Sequence, residues 1–307
     1  MHCRLDGSVA GGQTRSMFRC KAPCKINLSL RVLGKREDGF HAVDTLMAPL
    51  QLADELAFEH SLGGMRLVCD TPGVPVDESN LVMKAARMME KELGRTLNWT
   101  VSLMKNVPHG AGLGGGSSDA AAVLMALNRL ENAGMSDEHL VGLAGELGSD
   151  VGFFVLKSIC RCTGRGEIVE KASASECGFS SPVLLLKPSF GVSTPDAYRR
   201  WASSSYLPGI PYGPVDWQGV EFVNDLERPV FEKFMFLAEV KRWLLAREGV
   251  RVAMMSGSGS TMFALVDSVE RGYEIAGKAL EELDPTLWTW CGMCGAGCVL
   301  DSEGETR

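Results

Sequence analysis

Residues 108–119 read Pro-His-Gly-Ala-Gly-Leu-Gly-Gly-Gly-Ser-Ser-Asp, with five glycines among the seven residues 110–116. Glycine tolerates positive φ and lets the backbone approach a ligand closely. A run of apolar helix formers occupies 120–130, so a strand, a glycine loop and a helix are expected in that order. The unpaired N–H groups of a first helical turn, with the positive end of the dipole, hold anions. Ser117 and Ser118 add hydroxyls for a phosphate or a metal ion. Phosphate binding is the chemistry this loop points to. A Walker-type loop needs Gly-Lys-Ser/Thr, whereas Gly116 is followed by Ser117, so that motif is absent. A dinucleotide fingerprint can be laid on Gly110, Gly112 and Gly115, but its acidic partner, Glu131, ends a helix instead of a strand. A flexible turn is the plain alternative.

Two other places carry chemistry-bearing residues. Ser256-Gly257-Ser258-Gly259-Ser260-Thr261 is a second Gly/Ser turn after a strand; a simple hairpin explains it equally well. Lys25 lies in an apolar strand beside Pro23, Cys24 and Ile26. An ammonium there needs a carboxylate or a task, unless it snorkels to the surface. Asp150 follows a helix end and precedes an apolar stretch, where a carboxylate is costly unless partnered.

The elements that must position these groups follow from periodicity. Residues 1–17 are polar and aperiodic and are expected to be a disordered extension. Over 21–33, Ile26, Leu28, Leu30 and Val32 alternate on one face of a strand. A turn follows at 34–41, then strands at 42–58 and 65–69. Asn80 opens a helix to Leu93 that Gly94 closes. A strand is expected at 99–105, a helix from 120 to 130, and another from Ser136 to Leu147 with Gly148 as stop. Residues 151–156 read as an apolar strand and 160–171 as a hairpin. A boundary is expected near 171–181. Beyond it come a strand at 183–187, a long helix over 225–247, strands at 251–255 and 262–266, a helix at 268–283 and a strand at 287–291. The order is not strictly βαβ, which argues for an α+β fold.

The 307 residues suit two packed domains or one large one. Hydrophobic residues make up 45 % and the net charge is −7 with no Lys/Arg cluster, which argues against a nucleic-acid partner. No apolar run approaches the roughly 20 residues that span a bilayer. The first residues lack the apolar stretch of a signal peptide, so no membrane association and a cytoplasmic location are expected. Ten cysteines in such a chain are expected to be buried, reduced thiols. Cys291, Cys294 and Cys298 have spacing that thiolate zinc sites use, but no fourth ligand stands nearby.

Taken together, the segments around Lys25, Gly110–Ser118 and Ser256–Thr261 resemble the three motifs of the GHMP kinases, the galactose, homoserine, mevalonate and phosphomevalonate kinases. The resemblance runs over roughly residues 18–266. Within the family it is closest to the branch whose acceptor is a cytidine-diphosphate-linked methylerythritol, through 25–56, 112–128, 147–154 and 164–167. It implies a two-domain GHMP fold: an N-terminal domain over 18–175 like the second domain of ribosomal protein S5, and a ferredoxin-like C-terminal domain over 176–307. It implies ATP and Mg²⁺ as cofactors and a small-molecule alcohol as substrate, in isoprenoid precursor synthesis; monomer and homodimer both remain open.

The resemblance also implies roles. Asp150 accepts the acceptor's proton or orients its hydroxyl, and Lys25 polarises that hydroxyl. Pro108, Gly110, Gly112, Leu113, Gly114, Gly115, Gly116, Ser117 and Ser118 wrap the ATP phosphates, with Ser117 a candidate Mg²⁺ ligand. Asn80 and Lys105 fall near the nucleotide. Phe40 stacks on cytosine where the family usually has Tyr, His41 bonds the base edge, and Phe190 covers the other face. Asn27 and Thr194 complete the acceptor site. Cys24 stands where Ala is usual and is expected to add thiol sensitivity. The rival readings are a homoserine- or phosphomevalonate-type kinase, a diphosphomevalonate decarboxylase-like lyase, and a non-catalytic ATP-binding protein.

Overall fold

The computed structural model describes residues 17–298. Apart from Met17, the extension expected over 1–17 lies outside the described residues. The spine is a pair of long antiparallel strands, β1 (Phe18–Lys35) and β2 (His41–His60). Their register shifts between Pro23 and Lys25, Asn27 and Ser29, and Val32 and Gly34. Such irregularities bend a strand and re-aim its side chains. The even-numbered apolar residues are thereby divided. Phe18, Cys20 and Ala22 join one core cluster, Cys24, Ile26 and Leu28 a second, and Leu30 and Val32 a third. The single face expected for residues 26–32 is split at the middle shift.

β3 (Arg66–Val68) leads to α1 (Leu81–Leu93). Asn80 caps it by accepting the Val82 N–H, and Gly94 ends it in the left-handed conformation. β4 (Trp99–Met104) pairs with β2. α2 (Gly115–Leu130) follows, starting at Gly115 and not at residue 120. The low helix propensity of glycine hides this first turn, which the Ser118 N–H bond to Gly114 O closes at 2.9 Å. α3 (Asp137–Leu147) starts from a Ser136 cap. The stretch expected as a strand at 151–156 is instead a short helix, α4 (Val151–Val155), with all five residues buried. A short apolar run has no period that separates strand from helix.

The hairpin β5 (Cys160–Thr163) and β6 (Ile168–Lys171) pairs with β2 through β5. After α5 (Ala174–Cys177) come β7 (Ser180–Lys187) and α6 (Thr194–Trp201). β8 (Val215–Trp217) and β9 (Val220–Asn224) return the chain to β1, with β9 parallel to it. The long helix expected at 225–247 is two helices, α7 (Glu227–Lys233) and α8 (Met235–Leu245). They break at Phe234, which has φ −122° and ψ 72° and stacks its ring on Phe190 at 5.2 Å.

β10 (Val250–Met255), β11 (Met262–Val266), α9 (Val269–Glu282) and β12 (Trp288–Gly295) follow. With β7 they make a sheet of order β10-β11-β7-β12. Setting β8 and β9 aside and taking α6, α7 and α8 together as the first helical crossover, the order along the chain is βαββαβ, the ferredoxin-like pattern. β12 meets β2 at Cys294 and Leu50, which joins the two sheets. Residues three apart on a strand point to opposite faces. Accordingly Cys291 and Cys294 enter different core clusters and do not converge on one ion. Burial pushes the Cys298 thiol up to about 11, as expected of a core thiol. Among the described residues no helix is long and apolar enough to cross a membrane.

Candidate active site

The three sequence segments meet. At the first register shift of β1, the Lys25 N–H leaves the ladder and bonds Leu113 O of the glycine loop at 3.0 Å. Lys25 Nζ lies 3.4 Å from Asp150 Oδ2, where the Lys25 side chain is 4 % exposed and that of Asp150 37 %. Nζ also donates to Asn27 Oδ1 at 2.7 Å. Asn27 Nδ2 donates to Thr45 Oγ1 at 2.8 Å, and Thr45 donates on to Ser29 O at 2.6 Å. This chain of hydrogen bonds fixes the ammonium and leaves Asp150 facing open space. The buried α4 holds the other side: a Cβ on Gly114 would meet Phe154 Cζ at 3.0 Å and Lys25 Cε at 3.2 Å. Gly114 has φ +70°, so glycine is required there both by conformation and by space.

The turn at 256–261 does more than close the β10–β11 hairpin. A Cβ on Gly112 would fall 2.4 Å from Ser256 O and 2.9 Å from Gly259 O. Ser256 Oγ donates to Gly112 O at 3.0 Å, and the Thr261 N–H bonds Ala111 O at 3.2 Å. The turn therefore braces the glycine loop from the C-terminal half of the chain. Ser258 and Thr194 hydroxyls are 2.7 Å apart.

Lys25, Asn27, Asp150, Gly112, Gly114, Gly257, Ser258 and Thr194 all line one cavity of about 720 Å³. Phe40 and His41 line it as well. Phe40 is 52 % exposed, with the Arg165 guanidinium 5.3 Å from its ring centre. His41 stacks on Tyr198 at 5.3 Å and meets Trp201 edge-on at 6.3 Å. Phe190 does not line this cavity. It packs on Phe234, and its carbonyl accepts from Ser260 Oγ at 2.7 Å. The other aromatic side chains lining the cavity are Tyr198 and Trp201, both packed against His41. Thr194, Tyr198 and Trp201 stand at i, i+4 and i+7 of α6, a spacing that puts them on one face. That spacing was the available signal, and it goes unread while 190–201 has no expected helix. Burial, and then the negative charge of Asp150, push the Tyr198 phenol pKa up.

Three other expected ligand side chains, those of Asn80, Ser118 and Lys105, have partners within the protein. Asn80 Oδ1 takes the Val82 N–H and its amide donates to Pro75 O, so Asn80 serves as a helix cap. Ser118 Oγ donates to Pro23 O at 2.7 Å. Lys105 Nζ is held by Asp54 and Asp119 in a buried cluster behind the loop. Pro108, Gly110, Leu113, Gly115, Gly116 and Ser117 lie along the loop and first turn of α2, outside the cavity lining. Ser117 Oγ makes no side-chain hydrogen bond among the described residues, which leaves it the freer of the two hydroxyls. Cys24 is fully buried and its thiol is pushed up by burial, an environment that argues against the expected sensitivity.

The family pattern described as "GHMP kinases N terminal domain" matches residues 80–158, and "GHMP kinases C terminal" matches 218–284. The chain is 41 % identical over 280 residues to the 4-diphosphocytidyl-2-C-methyl-D-erythritol kinase of Methylacidiphilum infernorum, covering 90 % of this chain and 96 % of that one. It is 39 % identical over 254 residues to the chloroplastic enzyme of that name from Oryza sativa subsp. japonica, covering 80 % of this chain and 63 % of that longer protein. A crystal structure of 4-(cytidine 5'-diphospho)-2C-methyl-D-erythritol kinase superposes with a TM-score of 0.73 at 36 % identity, covering 91 % of this chain and 100 % of that one. A two-part α+β fold, three converging motifs and these relatives lead to one assignment: the chain belongs to the GHMP kinases, in the 4-diphosphocytidyl-2-C-methyl-D-erythritol kinase branch.

Proposed function

We propose that this chain moves the γ-phosphoryl group of ATP onto the 2-hydroxyl of 4-diphosphocytidyl-2-C-methyl-D-erythritol, forming the 2-phosphate and ADP in the non-mevalonate route to isoprenoid precursors. The observation that carries it is the Lys25–Asp150 pair opening onto a cavity that also holds Phe40, His41 and Tyr198. One part of that cavity handles a hydroxyl and another an aromatic base.

Phosphoryl transfer asks mainly for alignment and charge stabilisation. The acceptor oxygen attacks the γ-phosphorus, its proton passes to Asp150, and the bond to the β-phosphate oxygen breaks to release ADP. Asn27 and Thr45 hold Lys25 so that its ammonium faces both Asp150 and the entering hydroxyl. The N–H groups at the start of α2 and the loop braced by Ser256 receive the phosphates. Mg²⁺ suits this site: it takes few protein ligands beside substrate phosphates and water, and Ser117 offers a hydroxyl on the first turn. When bound it offsets charge on the transferred group.

In the same cavity, Phe40 and Tyr198 supply π-faces for cytosine and His41 an edge contact. A homoserine or phosphomevalonate acceptor, or a decarboxylase substrate, would give this aromatic end no task. The test is purified protein with Mg-ATP and a panel of alcohols, following ADP. Turnover is expected only with the cytidine-diphosphate-linked methylerythritol; turnover with homoserine or phosphomevalonate instead would overturn the reading.

A further inference from the structure

Arg165 has no part in the reading above, yet it touches Phe40 in the site and two residues outside the cavity lining, Gly145 and Glu167. It lies in the turn between β5 and β6 and lines the same cavity. Its guanidinium stands 5.3 Å from the centre of the Phe40 ring. It donates from Nη2 to Gly145 O, near the end of α3, at 3.1 Å, and its Nε is 3.9 Å from Glu167 Oε1. The neighbouring Gly166 backbone lies against the Asp150 turn, where a Cβ would meet Ser149 Cβ at 3.2 Å and Asp150 Oδ1 at 3.8 Å.

We infer that Arg165 is a positioning residue that clamps one face of Phe40 and so sets the aromatic wall of the acceptor site; this rests on the cytidine-binding reading above. Phe40 sits on a loop with its ring half in solvent, and such a ring stacks poorly unless something stiffens it. A guanidinium over a ring face is attracted by the ring quadrupole. The tether to Gly145 O fixes the guanidinium within the protein wall, so it backs the ring and does not occupy the place of the base. The Phe40–Arg165 contact thereby ties the base wall to the end of the helix that leads into Asp150.

The experiment is a double-mutant cycle read by calorimetric binding of cytidine 5′-diphosphate to wild type, Arg165→Gln, Phe40→Ala and the double variant. Arg165→Gln is expected to weaken binding roughly three- to tenfold, the range of an exposed to partly desolvated cation–π contact. The double variant is expected to bind no worse than Phe40→Ala alone, because the clamp has nothing left to hold. Additive losses would show that Arg165 acts apart from Phe40, and tighter binding by Arg165→Gln would show that it blocks the base; either overturns the inference alone. A wild-type protein that does not bind the nucleotide overturns the cytidine reading and this inference together.

Discussion

Two lysines stand on opposite sides of one glycine loop, and consecutive glycines separate them. A Cβ on Gly114 would meet the Lys25 stem, and one on Gly115 would lie 3.2 Å from Lys105 Nζ. In front, Lys25 has one carboxylate, Asp150, which is 37 % exposed and 3.4 Å away. Behind, Lys105 has two, Asp54 and Asp119, both buried. Asp54 Oδ1 also accepts the N–H groups of Asn106 and Val107 at 2.6 and 2.8 Å, so it pins the strand end from which the loop departs. The residue types are the same. What differs is access: the front pair is loose and opens to a cavity, and the rear cluster is closed around itself. On the proposed reading, chemistry belongs to the first and architecture to the second.

The largest effect tests the front pair. Asp150→Asn keeps the size of the side chain but removes the charge that receives a proton. Turnover is expected to fall roughly 10²–10⁴-fold, the usual worth of a positioned acid or base, while ATP still binds. Steady-state kinetics with an ATP-binding measurement checks it, and unchanged turnover would remove the front pair from the mechanism.

The rear cluster predicts a loss of a different kind. Lys105→Met leaves Asp54 and Asp119 buried without their cation, which costs about 3–5 kcal/mol. Denaturant unfolding should show it. The family resemblance places Lys105 near the nucleotide, and the same variant sharpens that point. Wild-type stability with a large loss of ATP affinity would move Lys105 from architecture to ligand binding.

The contrast also explains what was legible in the sequence. Caps are local, so Asn80, Gly94 and Ser136 mark their helix ends correctly. The glycine loop is legible because its composition alone marks it, five glycines among residues 110–116. The break at Phe234 depends on a ring stack with Phe190, across the C-terminal half, and no local signal announces it. α4 is hidden because every residue in it is buried, which erases periodicity. Lys25 and Asp150 lie far apart in sequence, and only the resemblance brought them together before the structure did. Lys105 shows the reverse case, since a lone Lys at a strand end gives no hint of two buried carboxylates.

A smaller effect belongs to the aromatic end of the front cavity. Phe40→Ala removes one stacking face, worth about 1–3 kcal/mol per base. It should raise the acceptor KM while the chemical step, which the proposal sets at Lys25 and Asp150, changes less. An unaltered KM would place the base elsewhere and leave the front cavity with a hydroxyl site only.

The smallest effect comes from the rear cluster and concerns pH. Asp119 is 3 % exposed, and its Oδ1 has no hydrogen-bond partner among the described residues. Burial raises its pKa to about 7, Lys105 opposing and Asp54 adding to the rise. The folded state therefore holds a proton that the unfolded carboxylate, at the usual 3.8, has released. Stability must then fall as pH rises from the unfolded value toward the folded one, and level off above it. Between pH 6 and 7 that loss is at most about 1.4 kcal/mol for one proton. Asp119→Asn removes the titration, so its unfolding free energy should lack this slope while wild type shows it. Identical slopes in the two proteins would mean that Asp119 stays ionised throughout, and that the rear cluster tolerates a buried net charge by means other than a proton.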